Sequence, residues 1–411
     1  MKRVGGSGKG TNTPCREQRG ILERCIVMTF MALGVFAVLL WRAVLPLDCK
    51  WYWRVLAGVV TLGVSFKFKI LQLLGGHYFA PDLPGWFLII AGQIYITAFL
   101  FLLFIVVADT VLLCVTCGKV AVKLFKEKSF DWKMLLHKHP LLNKVHAAGL
   151  VLAFVLSLVG MWYGLSMPRV RRVEILSDRV PAQADGVTLA VLADLHVDRL
   201  NNRSKIRKIV ELTNSLKADF ICIVGDFSDG AKAHQLETLS ELSNLRAKYG
   251  VYGVAGNHEY YSGYHELMAH FKKIGLPILS NENVYFENLK LRICGIPDSH
   301  ARRLGEKVPD IAAALAGGDK DDYRILLSHE PRTAHKAAKL GADLQFSGHT
   351  HGGMVLGFDY LVARSNGGFA WGNYQLGKMT LVMSNGTCMW SGFPVRLGHP
   401  AEIVLVTLKR R

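Results

Sequence analysis

Hydrophobic positions follow two patterns along the chain. Before residue 168 they form long continuous runs. From Ile21 to Leu45 the sequence ILERCIVMTFMALGVFAVLLWRAVL is long enough to cross a bilayer core of about 30 Å, and Arg24 and Arg42 sit near its ends, where long cationic side chains can snorkel to the headgroups. The run is too long for the apolar core of a cleavable signal peptide, and no small-residue cleavage site follows it. Trp86 to Cys117 reads as a second span, broken only by Gln93 and Asp109. His146 to Met167 reads as a third, closed by Pro168 and the basic residues Arg169, Arg171 and Arg172. Trp51 to Leu74 is apolar but interrupted by Lys67 and Lys69, so three or four spans are expected. Asp109 is either functional or a carboxylate near a helix end, snorkelling or paired with a lysine of the next loop.

After residue 170 the apolar runs shorten to strand length: Val187–Ala193, Phe220–Val224, Val251–Ala255, Leu291–Ile296, Ile325–Leu327, Leu344–Phe346, Met379–Met383 and Ile403–Leu408. Amphipathic helical stretches at 203–217, 234–248, 262–273 and 331–340 separate several of them. Short buried strands alternating with helices predict a layered α/β domain around a mixed sheet. The chain thus divides into a basic tail (1–20), a membrane region (21–168) and a globular domain (169–411).

Composition sharpens this picture. Of 411 residues, 51% are hydrophobic and 20% charged, against about 25% charged in ordinary soluble domains. The net charge of +17 looks like a nucleic-acid signal until it is divided by position. Residues 1–168 hold 18 basic and 7 acidic side chains, and the remainder holds 31 and 25. The excess is therefore densest beside the apolar spans, which points to lipid headgroups and disfavours nucleic acid. The charge rule leaves the side of the globular domain open: the basic tail and the lysines of loop 118–145 both favour the cytoplasm, but four spans would place that loop outside. The eight cysteines are scattered. Cys114 and Cys117 lack a second ligand pair, and Cys222, Cys294 and Cys388 read mainly as buried thiols.

The chemistry lies at the strand ends. VTLAVLA runs into Asp194-Leu195-His196, and FICIV into Gly225-Asp226-Phe227-Ser228-Asp229. VYGVA runs into Gly256-Asn257-His258-Glu259, RILLS into His329-Glu330-Pro331, and DLQFS into Gly348-His349-Thr350-His351. Open α/β sheets place their ligand site outside the carboxyl ends of the strands, so five loops converge on one site. Carboxylates, imidazoles and an amide carbonyl without thiolate suit manganese, iron or zinc. If the segments stay extended, the i, i+2 spacing of Asp194 with His196 and of His349 with His351 puts each pair on one face. Seven ligands are too many for one ion but fit two that share a carboxylate, an arrangement able to hold a phosphoryl group.

This series resembles the calcineurin-like metallophosphoesterase superfamily, whose pattern D-x-H, G-D-x-x-D, G-N-H-[DE], H and G-H-x-H it matches across about 187–353. The stretch SNGTCMWSGFPVRLGHPAEIVLVTL (384–408) resembles the ending of a bacterial membrane-associated subgroup. The resemblance implies a four-layer α/β/β/α sandwich following the membrane helices, and a dinuclear centre of divalent manganese, iron or zinc. One metal would be held by Asp194, His196, Asp226 and His351, and the other by Asp226, Asn257, His329 and His349. His258 would assist the leaving group, and Asp229 and Glu259 would support the ligands from behind. Many relatives of the subgroup continue His-Gly-Gly with Gln, where this chain has Met354. The reading implied is an integral membrane phosphoesterase, expected in a bacterial cytoplasmic membrane, using two metals to activate water against a lipid-linked or amphipathic phosphoester. The alternatives are a nuclease or nucleotide phosphodiesterase, and a non-catalytic membrane sensor.

Overall fold

A computed structural model describes residues 29–75, 81–127 and 142–411. The basic tail, the start of the first apolar run and part of the lysine-rich loop lie outside the described residues. The chain forms two compact units: residues 1–70 with 97–154, and residues 71–96 with 155–411.

In the first unit the apolar runs are helical. Helix α1 (Thr29–Val44) is short and apolar, whereas α2 (Trp51–Ser65) and α3 (Lys67–Gly75) meet at a 72° bend. The doubtful run at 51–74 is therefore a broken element whose bend lies beside Lys67. Helices α4 (Gly85–Glu127) and α5 (Leu142–Leu165) each contain a stretch long and apolar enough to cross a membrane, Gly85–Lys123 and Lys144–Leu165. Both start in one unit and end in the other. Asp109 pairs with Arg42, at 2.6 Å from its Nε, and lies 3.6 Å from His146 Nε2. Among the described residues its ion-pair partner is the arginine closing the first apolar run.

The second unit contains two sheets. One has the order β1-β11-β2-β3-β4 and the other β5-β6-β7-β8-β10-β9. In the first, β2 (Thr188–Leu192), β3 (Phe220–Val224) and β4 (Val251–Val254) run parallel, while β11 (Glu402–Arg410) pairs antiparallel to β2 and parallel to β1 (Arg169–Ser177). The second sheet contains β5 (Glu282–Phe286), β6 (Leu291–Gly295), β7 (Tyr323–Leu327), β8 (Leu344–Ser347), β9 (Gly372–Leu376) and β10 (Met379–Met383). Strand alternation produces the layers. Leu189, Val191, Phe220, Cys222 and Val224 face Tyr323, Ile325, Leu327, Leu344 and Phe346 in a core between the sheets. The opposite faces, including Ala190, Leu192, Ile221 and Ile223, pack on α6 (Arg203–Ser215), α7 (Ala233–Leu239) and, after the short α8 (Asn257–Tyr261), α9 (Tyr264–Lys273). Beyond the second sheet, Leu326, Leu381 and Met383 pack on α10 (Ile311–Ala314) and α11 (Ala334–Lys339). The architecture is the expected helix–sheet–sheet–helix sandwich.

Strands β1, β5 and β9 were not anticipated. In β1 the basic residues that read as a membrane flank lead directly into buried Val173 and Ile175, and Arg171 forms an ion pair with Glu402 at 2.9 Å. Helix α12 (Phe358–Ser365) was also not foreseen.

Candidate metal centre

All five loops arrive at one end of the sandwich and place their polar side chains in two adjoining groups. In the first, His196 Nε2 lies 2.9 Å from His351 Nε2, which is 3.7 Å from Asp194 Oδ1. In the second, Asn257 Oδ1 lies 3.1 Å from His329 Nε2 and 2.8 Å from His349 Nδ1. Asp226 Oδ2 stands between them, 3.1 Å from His329 Nε2 and 3.8 Å from His196 Nε2. Three groupings within this site, Asp194–His196–His351, His196–Asp226–His258 and Asp226–His329–His349, are compact enough to hold a metal ion.

The backbone is strained where these side chains emerge. Asp194, His196, Asp226, His349 and His351 all have positive φ, between 42° and 73°. Such conformations cost about 1–3 kcal/mol each and persist where surrounding structure over-determines them. The expectation that Asp-x-His and His-x-His use strand alternation is therefore corrected: left-handed turns after the strands aim these side chains. Gly225 is needed for a second reason. Its φ is 86°, and a Cβ there would lie 2.5 Å from His329 Nδ1 and 2.8 Å from the Gly256 backbone.

Supporting groups select the ring nitrogens that face inward. His329 Nδ1 donates to the Val224 carbonyl at 2.8 Å, which turns Nε2 towards Asp226. Asp229 Oδ1 accepts from His196 Nδ1 at 2.8 Å and from His258 Nδ1 at 2.6 Å. Glu259, fully buried, accepts backbone N–H groups from Gly256 (2.7 Å), Phe227 (2.8 Å), Asp226 (3.0 Å) and Ser228 (3.2 Å). It therefore holds the turn that presents Asp226.

Burial and mutual charge set the protonation of the side chains. Burial disfavours ionised Asp226, yet His329 and His258 outweigh it and hold the carboxyl well below the usual range. Burial, then His329, lowers His349 to about 4; burial, then Arg396, drives His351 well below an ordinary histidine. Both rings are therefore neutral. Burial disfavours protonated His196 and His329 as well, yet Asp229 raises the first to about 9 and Asp226 lifts the second well above an ordinary histidine, and a bound metal would have to displace those protons. His258 is also buried, but Asp226 and Asp229 raise it. The mixed oxygen and nitrogen donors, with inward ring nitrogens 2.9–3.2 Å apart, fit a pair of divalent cations.

Several neighbours of the site carry no role that the sequence motifs assign. Arg396 is buried and lies 2.9 Å from His351 Nδ1, while donating to the carbonyl of His351 at 2.8 Å and that of Cys388 at 2.6 Å. The Trp390 ring stands 5.7 Å from His258 and Tyr261 5.3 Å from it. His300, which carried no expected role, bonds Asp298 at 2.7 Å and the Tyr261 hydroxyl at 3.2 Å. Met354 follows the His351–Gly353 turn with φ 61°.

Arg396 and Trp390 lie on a strap, residues 389–398, that packs on the ends of α4 and α5 belonging to the same unit. Met389 joins Leu88, Met161 and Leu200 in one apolar cluster; Phe393 lies 6.1 Å from Tyr95, and Arg396 N donates to Gly160 O at 3.0 Å.

Residues 187–353 match the family described as calcineurin-like phosphoesterase. A metallophosphoesterase of Helicobacter pylori is 32% identical over 266 residues, spanning 63% of this chain and 70% of that protein. A transmembrane protein with metallophosphoesterase domain from Bos taurus is 31% identical over 277 residues, spanning 64% of this chain and 62% of the relative. Among solved structures, a dimetal phosphatase from Danio rerio aligns with a TM-score of 0.31 at 13% identity, over 49% of this chain and 88% of that one.

Proposed function

This chain belongs to the calcineurin-like metallophosphoesterase family, and from that premise we propose that it is a membrane-anchored hydrolase of lipid-linked or amphipathic phosphoesters. In this reading Asp194, His196, Asp226 and His351 hold one divalent ion, and Asp226, Asn257, His329 and His349 the other. When bound, the ions would be manganese, iron or zinc and would supply Lewis-acid polarisation of the phosphoryl oxygens and an acidified water.

The remaining work falls to side chains of the chain itself. Asp226 serves both groups through Oδ2, and Glu259 fixes its turn. Asp229 holds the Nδ1–H of His258, so Nε2, 3.9 Å from Asp226 Oδ2, is turned towards the reacting groups and can donate a proton to the departing oxygen. Trp390 and Tyr261 flank that imidazole and limit water there.

The observation that supports an amphipathic substrate is the strap. The residues beside His258 and His351 are continuous with those packed on Gly160 and Leu88, so the site sits where apolar helices enter the domain. The relative described as a transmembrane protein with metallophosphoesterase domain supports a membrane location. The test uses the full chain in nanodiscs with Mn²⁺. Bis-p-nitrophenyl phosphate should be cleaved, bilayer-borne phosphodiesters and diphosphates should be cleaved faster than soluble nucleotides, and Asp226→Asn should abolish both. Undiminished turnover in Asp226→Asn would overturn the two-metal reading. A preference for soluble nucleotides would overturn the lipid-linked one.

A further inference from the structure

Directly after the metal-binding turn the chain forms α12, and none of its residues is buried. It carries Tyr360 and Leu361, 79% and 62% exposed, and is flanked by Leu356 at 72% and Trp371 at 45%. Trp371 Nε1 bonds Asp359 Oδ2 at 3.2 Å, which brings the indole against the first turn of the helix. These exposed side chains gather along and beside one helix. A grouped apolar and aromatic surface marks a contact site, and tryptophan and tyrosine favour the membrane–water boundary.

The neighbouring chain identifies what covers it. Leu356 N donates to Leu397 O at 2.6 Å, and Val355 bridges to Leu397. Leu397 packs on Gly160, where an added Cβ would lie 2.9 Å from its Cγ. Gly160 belongs to the Lys144–Leu165 segment that is long and apolar enough to cross a membrane. Two contacts therefore join the exposed group to the last turns of that segment. Exposed Trp162 and Tyr163 lie on the same turns, and exposed Trp86 opens α4. Arg364, exposed on α12, adds a cation suited to anionic headgroups.

We propose that Leu356, α12 and Trp371 form an interfacial platform lying in the headgroup layer of the bilayer crossed by α4 and α5. The platform touches the metal site through its own start: Gly353 N bonds Thr350 O, and a Cβ on Gly353 would lie 2.5 Å from Asp359 Cα. Seating in the headgroups would thus bear on the turn carrying His349 and His351. The inference depends on the apolar helices lying in a bilayer and not on which ester is cleaved.

The test places one fluorophore on the platform. In full-length protein with Cys15, Cys25, Cys49, Cys114 and Cys117 changed to Ser, Leu361→Cys is labelled with an environment-sensitive dye and reconstituted in phosphatidylcholine–phosphatidylglycerol nanodiscs. Lys378→Cys, in the exposed β9–β10 turn, is the control, and retained bis-p-nitrophenyl phosphate hydrolysis reports folding. Nitroxide carried on lipid should quench the label at 361 by roughly twofold or more and leave that at 378 unchanged. Equal quenching of both labels by aqueous iodide, with no effect of lipid nitroxide, would overturn the proposal. So would protection of position 361 from both quenchers, which would mean a second copy or another protein covers the helix.

Discussion

Glu259 accepts four backbone donors without being bonded to any of the proposed metal ligands' side chains, and its removal would act on the site through the main chain. Glu259→Ala leaves those N–H groups buried and unpartnered, at about 1–3 kcal/mol for each group not resatisfied. The expected result is a marked fall in thermal midpoint together with a 10–100-fold loss of kcat/KM, measured by calorimetry and bis-p-nitrophenyl phosphate turnover. Glu259→Gln, which keeps one acceptor oxygen, should lose less of both. A variant that keeps its midpoint and its activity would refute this account. At this scale much of the site could be read directly: the carboxylate, imidazole and amide side chains named from the strand ends do meet at one place. Arg396 and Trp390 lie in the 384–408 stretch that carries the subgroup resemblance, but nothing in that stretch assigns them a role, because they reach the site only through the path of the 389–398 strap.

The strap shows how an element can couple the helix ends to the chemistry. Gly160 faces Val395 and Leu397 so closely that any side chain would displace them. Gly160→Leu should push the strap away, withdraw Arg396 from His351 and lower turnover by about tenfold or more, a displacement cost of the kind that misplacing supporting groups produces. Gly118→Ala, where an added Cβ meets nothing within 4 Å, should cost far less. Parallel kinetics of the two variants check this, and equal behaviour would mean that the strap does not position Arg396. The helix–strand alternation of the domain was legible because buried strands read as short apolar runs. Strand β1 was hidden because its arginines mimic a membrane flank, and the partner that Arg171 pairs with, Glu402, lies 231 residues away in sequence. The helix at 358–365 was hidden because it buries no residue fully and turns Tyr360 and Leu361 outward, so no core-facing stripe marks it.

For the whole molecule, the cluster of inward ring nitrogens and carboxylates makes stability depend on metal. Chelation should lower the thermal midpoint, and Mn²⁺ should restore it progressively, by about 2.7 kcal/mol for each ion at a hundredfold excess over its Kd. Calorimetry across a manganese titration reads this directly; a midpoint indifferent to chelator and metal would contradict a metal-binding centre. The division into apolar spans and a layered domain was legible in hydropathy alone. The bend between α2 and α3, and the inclusion of 71–96 and 155–168 in the catalytic unit, arise from packing that no local pattern encodes.

The placement of β11 between β1 and β2 also sets an order of events. Thr407 pairs with Thr188, and Arg410 with Ser177, so two neighbouring strands await a partner synthesised more than 200 residues later. Pairings so distant in sequence close slowly. On a ribosome, α4 and α5 are complete long before this sheet can close, so the membrane helices are made first and the hydrolytic site is assembled afterwards.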